Sequence, residues 1–167
     1  MAEGLLVLPD FNGNRSPLAD PLARGVIHGL TLDSSFDSLA RLYYAACVGI
    51  VLGTRHVLDA MDAAGYAIEV LHLTGGHAAN AVLLRLYADA TDRVVALSRE
   101  PDSVLVGTGA AAATASGLHA SLRAAVQAMA GPGREIAPSP HTRAHFATQY
   151  RRFLLMRDQR RALDEAG

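Results

Sequence analysis

Apolar and polar positions fall into blocks whose period changes along the chain. Leu5-Leu6-Val7-Leu8 is a short apolar run stopped by Pro9. From Asp10 to Pro21 no period survives: Asn12, Gly13, Asn14, Pro17 and Pro21 make turn and loop chemistry. A segment of that length without periodicity is expected to be functional or packed on something. Ser34 followed by Asp37 resembles a helix-capping box. Beyond it Phe36, Leu39, Ala40, Tyr43, Cys47, Ile50, Val51, Thr54, Val57, Leu58 and Met61 recur at three- and four-residue spacing. That spacing predicts a long core helix, with Gly65 as its C-terminal cap. Ala67–Leu73 reads as a buried strand running into Thr74-Gly75-Gly76. A helix is expected over roughly Asn80 to Ala90, and a second strand at Val94–Leu97. A helix rich in small residues is expected from Ser103 to Ser116, and a short one near Ser121 to Met129. A final helix runs from about His141 to Leu163, with Phe146, Tyr150, Phe153 and Leu154 inward and its arginines outward.

The order strand, helix, strand, helix implies parallel pairing through a crossover helix. Two strands alone make a poor sheet, since three or more are normally needed for independent stability. The pattern therefore reads as part of something larger.

Composition narrows the picture. The chain has 167 residues, 50% of them hydrophobic and 19% charged, so a packed core is expected rather than disorder. No apolar run is read as long enough to cross a bilayer, and the N-terminus lacks a basic segment ahead of an apolar stretch, so neither membrane insertion nor a secretory signal is expected. Fifteen basic residues face sixteen acidic ones, a balance that disfavours nucleic-acid binding. All the basic residues are arginine, which we read as coding bias; with no lysine, Schiff-base and P-loop chemistry cannot run on this chain alone. Cys47 is the one cysteine, expected as an inert core thiol, so no intramolecular disulfide or cysteine-rich metal site forms.

Few residues carry distinctive chemistry. Gly75 and Gly76 follow a strand and precede a helix, where backbone can approach a ligand closely, but the pair taken alone favours an ordinary strand-to-helix turn and matches neither the Rossmann nor the P-loop pattern. His77, beside it, is the one histidine placed to touch a ligand there. Asp10, Asn12, Asn14 and Arg15, beside Gly13, fit sugar or phosphate binding and also fit turn hydrogen bonds among themselves. His141 and His145 have the i, i+4 spacing of metal ligands but no carboxylate partner, so a solvated surface is expected. Tyr43 and Tyr44 read as packing residues, and Arg151, Arg152, Arg157, Arg160 and Arg161 as a solvated face.

Several of these segments together resemble one family. The stretch from Leu8 to Pro21 resembles the PDF-x-GNRSP-x-ADP segment of FGGY-type carbohydrate kinases, in particular the D-ribulose (pentulose) kinase branch. Arg24-Gly25, Gly29-Leu30, Leu42-Tyr43-Tyr44 and Gly53-Thr54-Arg55 continue the likeness. So do Gly75-Gly76 through Asn80 to Ala88-Asp89, and Glu100 with Val104-Leu105-Val106-Gly107. His77-Ala78-Ala79 stands where the family often has Leu-Ser-Lys, which removes a lysine. Ser38 stands where a histidine is favoured, and Ala45 near an acidic position.

The resemblance implies the C-terminal portion of an actin-like (ribonuclease H-like) ATPase domain: α/β, helix-rich, with a short parallel sheet that lacks its first strands. It implies one partial domain over 1–167, with 1–33 a cleft-facing loop region and 34–167 a helical and α/β nucleotide-binding portion. It implies an ATP-dependent transferase of carbohydrate metabolism, with Mg²⁺ arriving on ATP and no metal held by the side chains singled out above; a cytoplasmic location is the default expectation from composition. Gly75, Gly76, His77 and Asn80 would lie against adenosine, and Asp10, Asn12, Gly13, Asn14 and Arg15 would line the cleft. No catalytic residue is expected in this chain, since the general base belongs to an N-terminal FGGY domain supplied in cis or in trans. The alternatives are a non-catalytic nucleotide-binding or interaction module, or the half-subunit of a split kinase; a homo-oligomer stays open.

Overall fold

The computed structural model describes residues 4–100, 102–131 and 133–166. The first apolar run is strand β1 (Leu6–Leu8), all three residues buried. It pairs antiparallel with β2 (Val26–His28), in the register Leu6–His28 and Leu8–Val26. From residue 4 to 33 the chain is thus more than a loop: its first strand is core, and the irregular stretches lie between the strands and after β2. Helix α1 (Phe36–Ala63) packs across β1. Gly49 makes that approach possible, because a Cβ there would run into the Val7 carbonyl oxygen.

The N-cap of α1 is Ser35, not Ser34: its hydroxyl accepts from the Ser38 amide at 3.2 Å, and Asp33 in turn accepts from the Ser35 amide. At the other end Gly65 adopts φ +93°, Tyr66 N–H reaches Met61 O at 3.0 Å and Gly65 N–H reaches Asp62 O at 2.9 Å. This is the six-to-one, five-to-two pattern that a left-handed glycine permits.

The rest follows as β3 (Val70–Leu73), a 3₁₀ turn (Gly75–Ala79), α2 (Ala81–Thr91), β4 (Val94–Leu97), α3 (Ser103–Ala115), α4 (Leu122–Met129), β5 (Glu135–Ile136), a 3₁₀ turn (Pro140–Thr142) and α5 (Arg143–Glu165). β3 and β4 pair parallel, as the crossover pattern requires, from Val70–Val94 to Leu73–Leu97. β5 adds a third, antiparallel strand on β4, so the sheet is mixed. β3 is shorter and more exposed than the sequence predicts: it starts at Val70, itself 41% exposed, and lies at the sheet edge.

The core gathers Leu6 and Leu8 of β1, Val51 and Leu52 of α1, Leu86 and Tyr87 of α2, Val95 of β4, and Phe146, Phe153 and Met156 of α5. Cys47 is buried there as expected. The long apolar stripe of α1 is only half used. Phe36, Leu39 and Tyr43 are 81%, 61% and 63% exposed, so the packing role expected of Tyr43 is not observed. Tyr44, one residue on, is partly buried against the core.

Helix α1 also corrects the hydropathy reading, since an 18-residue window in it reaches a mean hydropathy of 1.3, enough by length and composition to cross a bilayer. It packs on β1, α2 and α5 as a core helix does, with its buried residues lying between Ala45 and Leu58. Helix α3 is apolar around its circumference yet buries only Ala110.

Candidate functional site

β3 and β4 end side by side and point the same way, because a crossover helix joins them. In open parallel sheets the crevice beyond the carboxyl ends of the strands is where ligands bind. β3 leaves through Thr74 into the Gly75–Ala79 turn, and α2 begins directly after it. Gly75 has φ +71°, a conformation that favours glycine. A Cβ on either Gly75 or Gly76 would meet nothing within 4 Å, so the backbone of the pair lies open.

Two contacts fix the turn. The Asn80 side-chain oxygen accepts from the amides of Val82 (2.9 Å) and Leu83 (3.2 Å), capping α2. That leaves the Asn80 side-chain amide nitrogen as its free donor. The His77 Nδ1 shares a hydrogen bond of 3.0 Å with the hydroxyl of Tyr87, one helical face further along. Tyr87 is buried, and burial raises its phenol pKa, so it stays protonated in this bond. The turn is therefore held by its helix while its glycines stay uncovered. Alongside, a groove of about 470 Å³ runs between the ends of β3 and β4 and the helices α3 and α4, with Thr74, Ser98 and Ser103 among its polar walls.

The 10–21 loop is organised differently. Asp10 is buried and accepts from the Asn14 side-chain amide at 3.0 Å. Asn14 and Asp20 exchange backbone hydrogen bonds of 2.7 and 2.8 Å. Gly13, at φ +79°, passes so close to Pro21 that a Cβ would sit 2.9 Å from its carbonyl oxygen. Asn14 thus spends its side chain within the loop, Asp10 engages only Oδ1 there and keeps Oδ2 buried without a hydrogen-bond partner, and Asn12 and Arg15 remain exposed. The Ser16–Pro17 peptide is cis. Among the described residues no hydrogen bond or ion pair joins the loop to the glycine turn: one rests on α5, the other on α2.

The arginine face of α5 needs correcting. Arg160 is buried and paired with Asp20 and Asp164, and Arg157 donates to His56 Nε2 at 2.8 Å. A sequence reading assigns such residues outward because arginine is rarely buried unless paired, and partners distant in sequence leave no local signal.

Sequence reasoning also missed a larger cavity, about 650 Å³, between α1, α2 and α5, walled by Tyr44, Val48, Leu86 and Phe146. His145 lines it, edge-on to Phe146. Asp89 sits on its wall, but its carboxylate is engaged by Arg85 and by the Ser139 amide, which ties α2 to the start of α5. The sequence signal for Asp89 is its place in the Ala88-Asp89 pair that resembles the family segment.

No group of three or more histidine, cysteine or acidic side chains is assembled for a metal among the described residues.

The comparisons with known proteins agree on the fold. Residues 1–116 match the FGGY family of carbohydrate kinases, C-terminal domain. The chain is 44% identical over 154 residues to an FGGY carbohydrate kinase domain-containing protein of Xenopus laevis, covering 92% of this chain and 28% of that protein. It is 37% identical over 106 residues to a D-ribulokinase of Saccharomyces cerevisiae, covering 64% of this chain and 15% of that one. The crystal structure of xylulose kinase from Rhodospirillum rubrum superposes with a TM-score of 0.76 at 27% identity, over 97% of this chain and 32% of that one. The chain spans about a quarter of the length of the curated relatives it matches. With its open glycine turn at the strand ends of an actin-like fold, it belongs to the FGGY family of carbohydrate kinases, as a portion of the C-terminal domain.

Proposed function

We propose that this chain is the nucleotide-binding part of an ATP-dependent carbohydrate kinase that phosphorylates a pentulose such as D-ribulose. The observation that carries the reading is the uncovered Gly75-Gly76 backbone at the end of β3, beside the groove closed by α3 and α4. Adenosine lies against Gly75 and Gly76, His77 forms one side, and the Asn80 amide nitrogen supplies a donor. Mg²⁺ enters on the phosphates of ATP. In the complete enzyme the γ-phosphoryl group passes to a primary sugar hydroxyl, whose proton goes to a base outside this chain. The 10–21 loop faces the sugar cleft, with Asn12 and Arg15 as its exposed polar groups. D-ribulose as substrate is supported by the name of the yeast relative; the xylulose kinase neighbours support the pentulose class.

The base and the sugar site belong to an N-terminal FGGY domain, joined in cis or docked in trans. Its seat is supported by the free edge of β3, the uncovered apolar surface of α3, where Val104 and Leu105 are 75% and 68% exposed, and the exposed start of α1. Phosphoryl transfer needs base, phosphates and both substrates positioned together, so the isolated chain binds nucleotide without turning over.

Calorimetric titration of ATP and ADP into the chain tests the reading. Gly76→Leu is the discriminating variant, because its side chain enters open space and leaves the fold intact. Saturable binding that this variant weakens by about tenfold or more, roughly 1.4 kcal/mol or above, supports the site. Absence of binding to the parent chain would instead identify an interaction module, and conversion of D-ribulose by the chain alone would overturn the division of labour.

A further inference from the structure

Arg160 lies on α5, beyond the residues that match the family, and is only 5% exposed. A guanidinium loses its hydration at that depth and persists there only with paired charges around it. Its Nη1 donates to Asp164 Oδ2 at 2.9 Å, one helical turn away on the same helix. It also donates to Asp20 Oδ2 at 3.3 Å, 140 residues earlier in sequence.

Asp20 is the closing residue of the 14–20 loop, held to Asn14 by two backbone hydrogen bonds. Asn14 in turn anchors on the buried Asp10. One buried cation on the last helix therefore completes a chain of contacts, from Asp20 through Asn14 to Asp10, that fixes the base of the loop. Beyond this base, Arg15, Ser16, Leu18 and Ala19 are exposed.

We propose that Arg160 is a positioning residue: through Asp20 it latches the 14–20 loop onto α5 and so sets where Asn12 and Arg15 are presented. The latch stands on these contacts alone; its consequence for sugar binding rests on the reading of the loop as cleft-facing.

Two features separate a latch from plain support of α5. First, the two carboxylates that hold Arg160 sit on different elements, so each can be neutralised singly. Asp20→Asn breaks the link to the loop while keeping the Oδ1 acceptor used by the Leu22 amide. Asp164→Asn weakens the arginine's hold on its own helix and leaves the loop link in place. Second, the glycine turn shares no hydrogen bond with the loop, so nucleotide binding reports independently on the rest of the fold.

The experiment is amide hydrogen exchange on the 167-residue chain and its variants Asp20→Asn, Arg160→Gln, Asp164→Asn and the double variant Asp20→Asn/Arg160→Gln. Exchange at the Asn14 and Asp20 amides is expected to rise by about tenfold in the first two and in the double variant to the same extent, since one link is removed once. In Asp164→Asn these amides should exchange as in the parent. ATP affinity should be unchanged in Asp20→Asn. Unaltered protection at Asn14 and Asp20 in Asp20→Asn would overturn the latch, as would an equal rise in Asp164→Asn, which would mark general loosening of α5. If the parent chain does not bind ATP, the nucleotide reading falls while the exchange pattern still decides the latch.

Discussion

The two halves of this chain treat apolar surface in opposite ways. Where β1, the middle of α1, α2, β4 and α5 meet, Val51, Leu52 and Val95 are fully covered and Gly49 lets α1 press onto the Val7 backbone. Where α3 and the start of α1 lie, Leu105 is 68% exposed, Phe36 81%, and a side chain added at Gly107 would meet nothing. The open helix α3 is more apolar in sequence than the covered helices α2 and α5. The difference teaches that the first region is a finished core, and that the second is left open, on the surface where the proposed N-terminal domain would seat. A helix apolar all round is a buried helix, and α3 has the composition of one without the burial.

Matched substitutions sharpen this contrast. Leu52→Ala should cost about 2–5 kcal/mol, measured by urea unfolding, whereas Leu105→Ala should stay within about 0.5 kcal/mol. Equal costs would break the division into finished and unfinished halves. Next, Gly49→Ala should lose about 1–3 kcal/mol through overpacking, while Gly107→Ala should be neutral or gain up to about 1 kcal/mol of helix propensity. The Asn80→Ala variant should cost about 1 kcal/mol by uncapping α2, so its effect on nucleotide must be judged against its melting temperature.

The smallest effect concerns pH. Burial, and then the Arg157 guanidinium, hold the His56 pKa below its usual 6.5, partly opposed by the carboxylates of Asp59, Asp10 and Asp158. Its ring accepts from Arg157 in the neutral form. A base with a depressed folded-state pKa binds more protons when unfolded, so its stabilising contribution is complete above pH 6.5 and fades as pH falls below it. Unfolding at pH 7 and pH 5.5 should show a smaller difference in His56→Gln than in the parent. An identical difference would remove His56 from the account.

Much of this fold is legible from residue spacing, and the exceptions have physical causes. Helices α1, α2 and α4 follow from their periodicity and α3 from its run of small residues, and Gly65 marks the end of α1 because only a left-handed residue closes that cap cheaply. β2 and β5, of three and two residues, are too short to show any alternation and exist because β1 and β4 offer them backbone partners. The exposure of Phe36 and Tyr43 cannot be read from α1 itself, since a stripe of apolar residues records what a helix can bury and not whether a partner is present. The inward turn of Arg160 depends on Asp20, whose distance in sequence hides the pair. At the glycine turn the sequence identifies the residues, and only the structure reveals that Asn80 is already engaged as a cap while Gly75 and Gly76 are bare.

The central claim is that this bare turn holds a nucleoside. Titrating ATP into the parent chain and into Gly76→Leu, at matched melting temperatures, tests it most directly. The account predicts saturable binding in the parent that falls by about tenfold or more in the variant. The same affinity in both, with both folded, would contradict it.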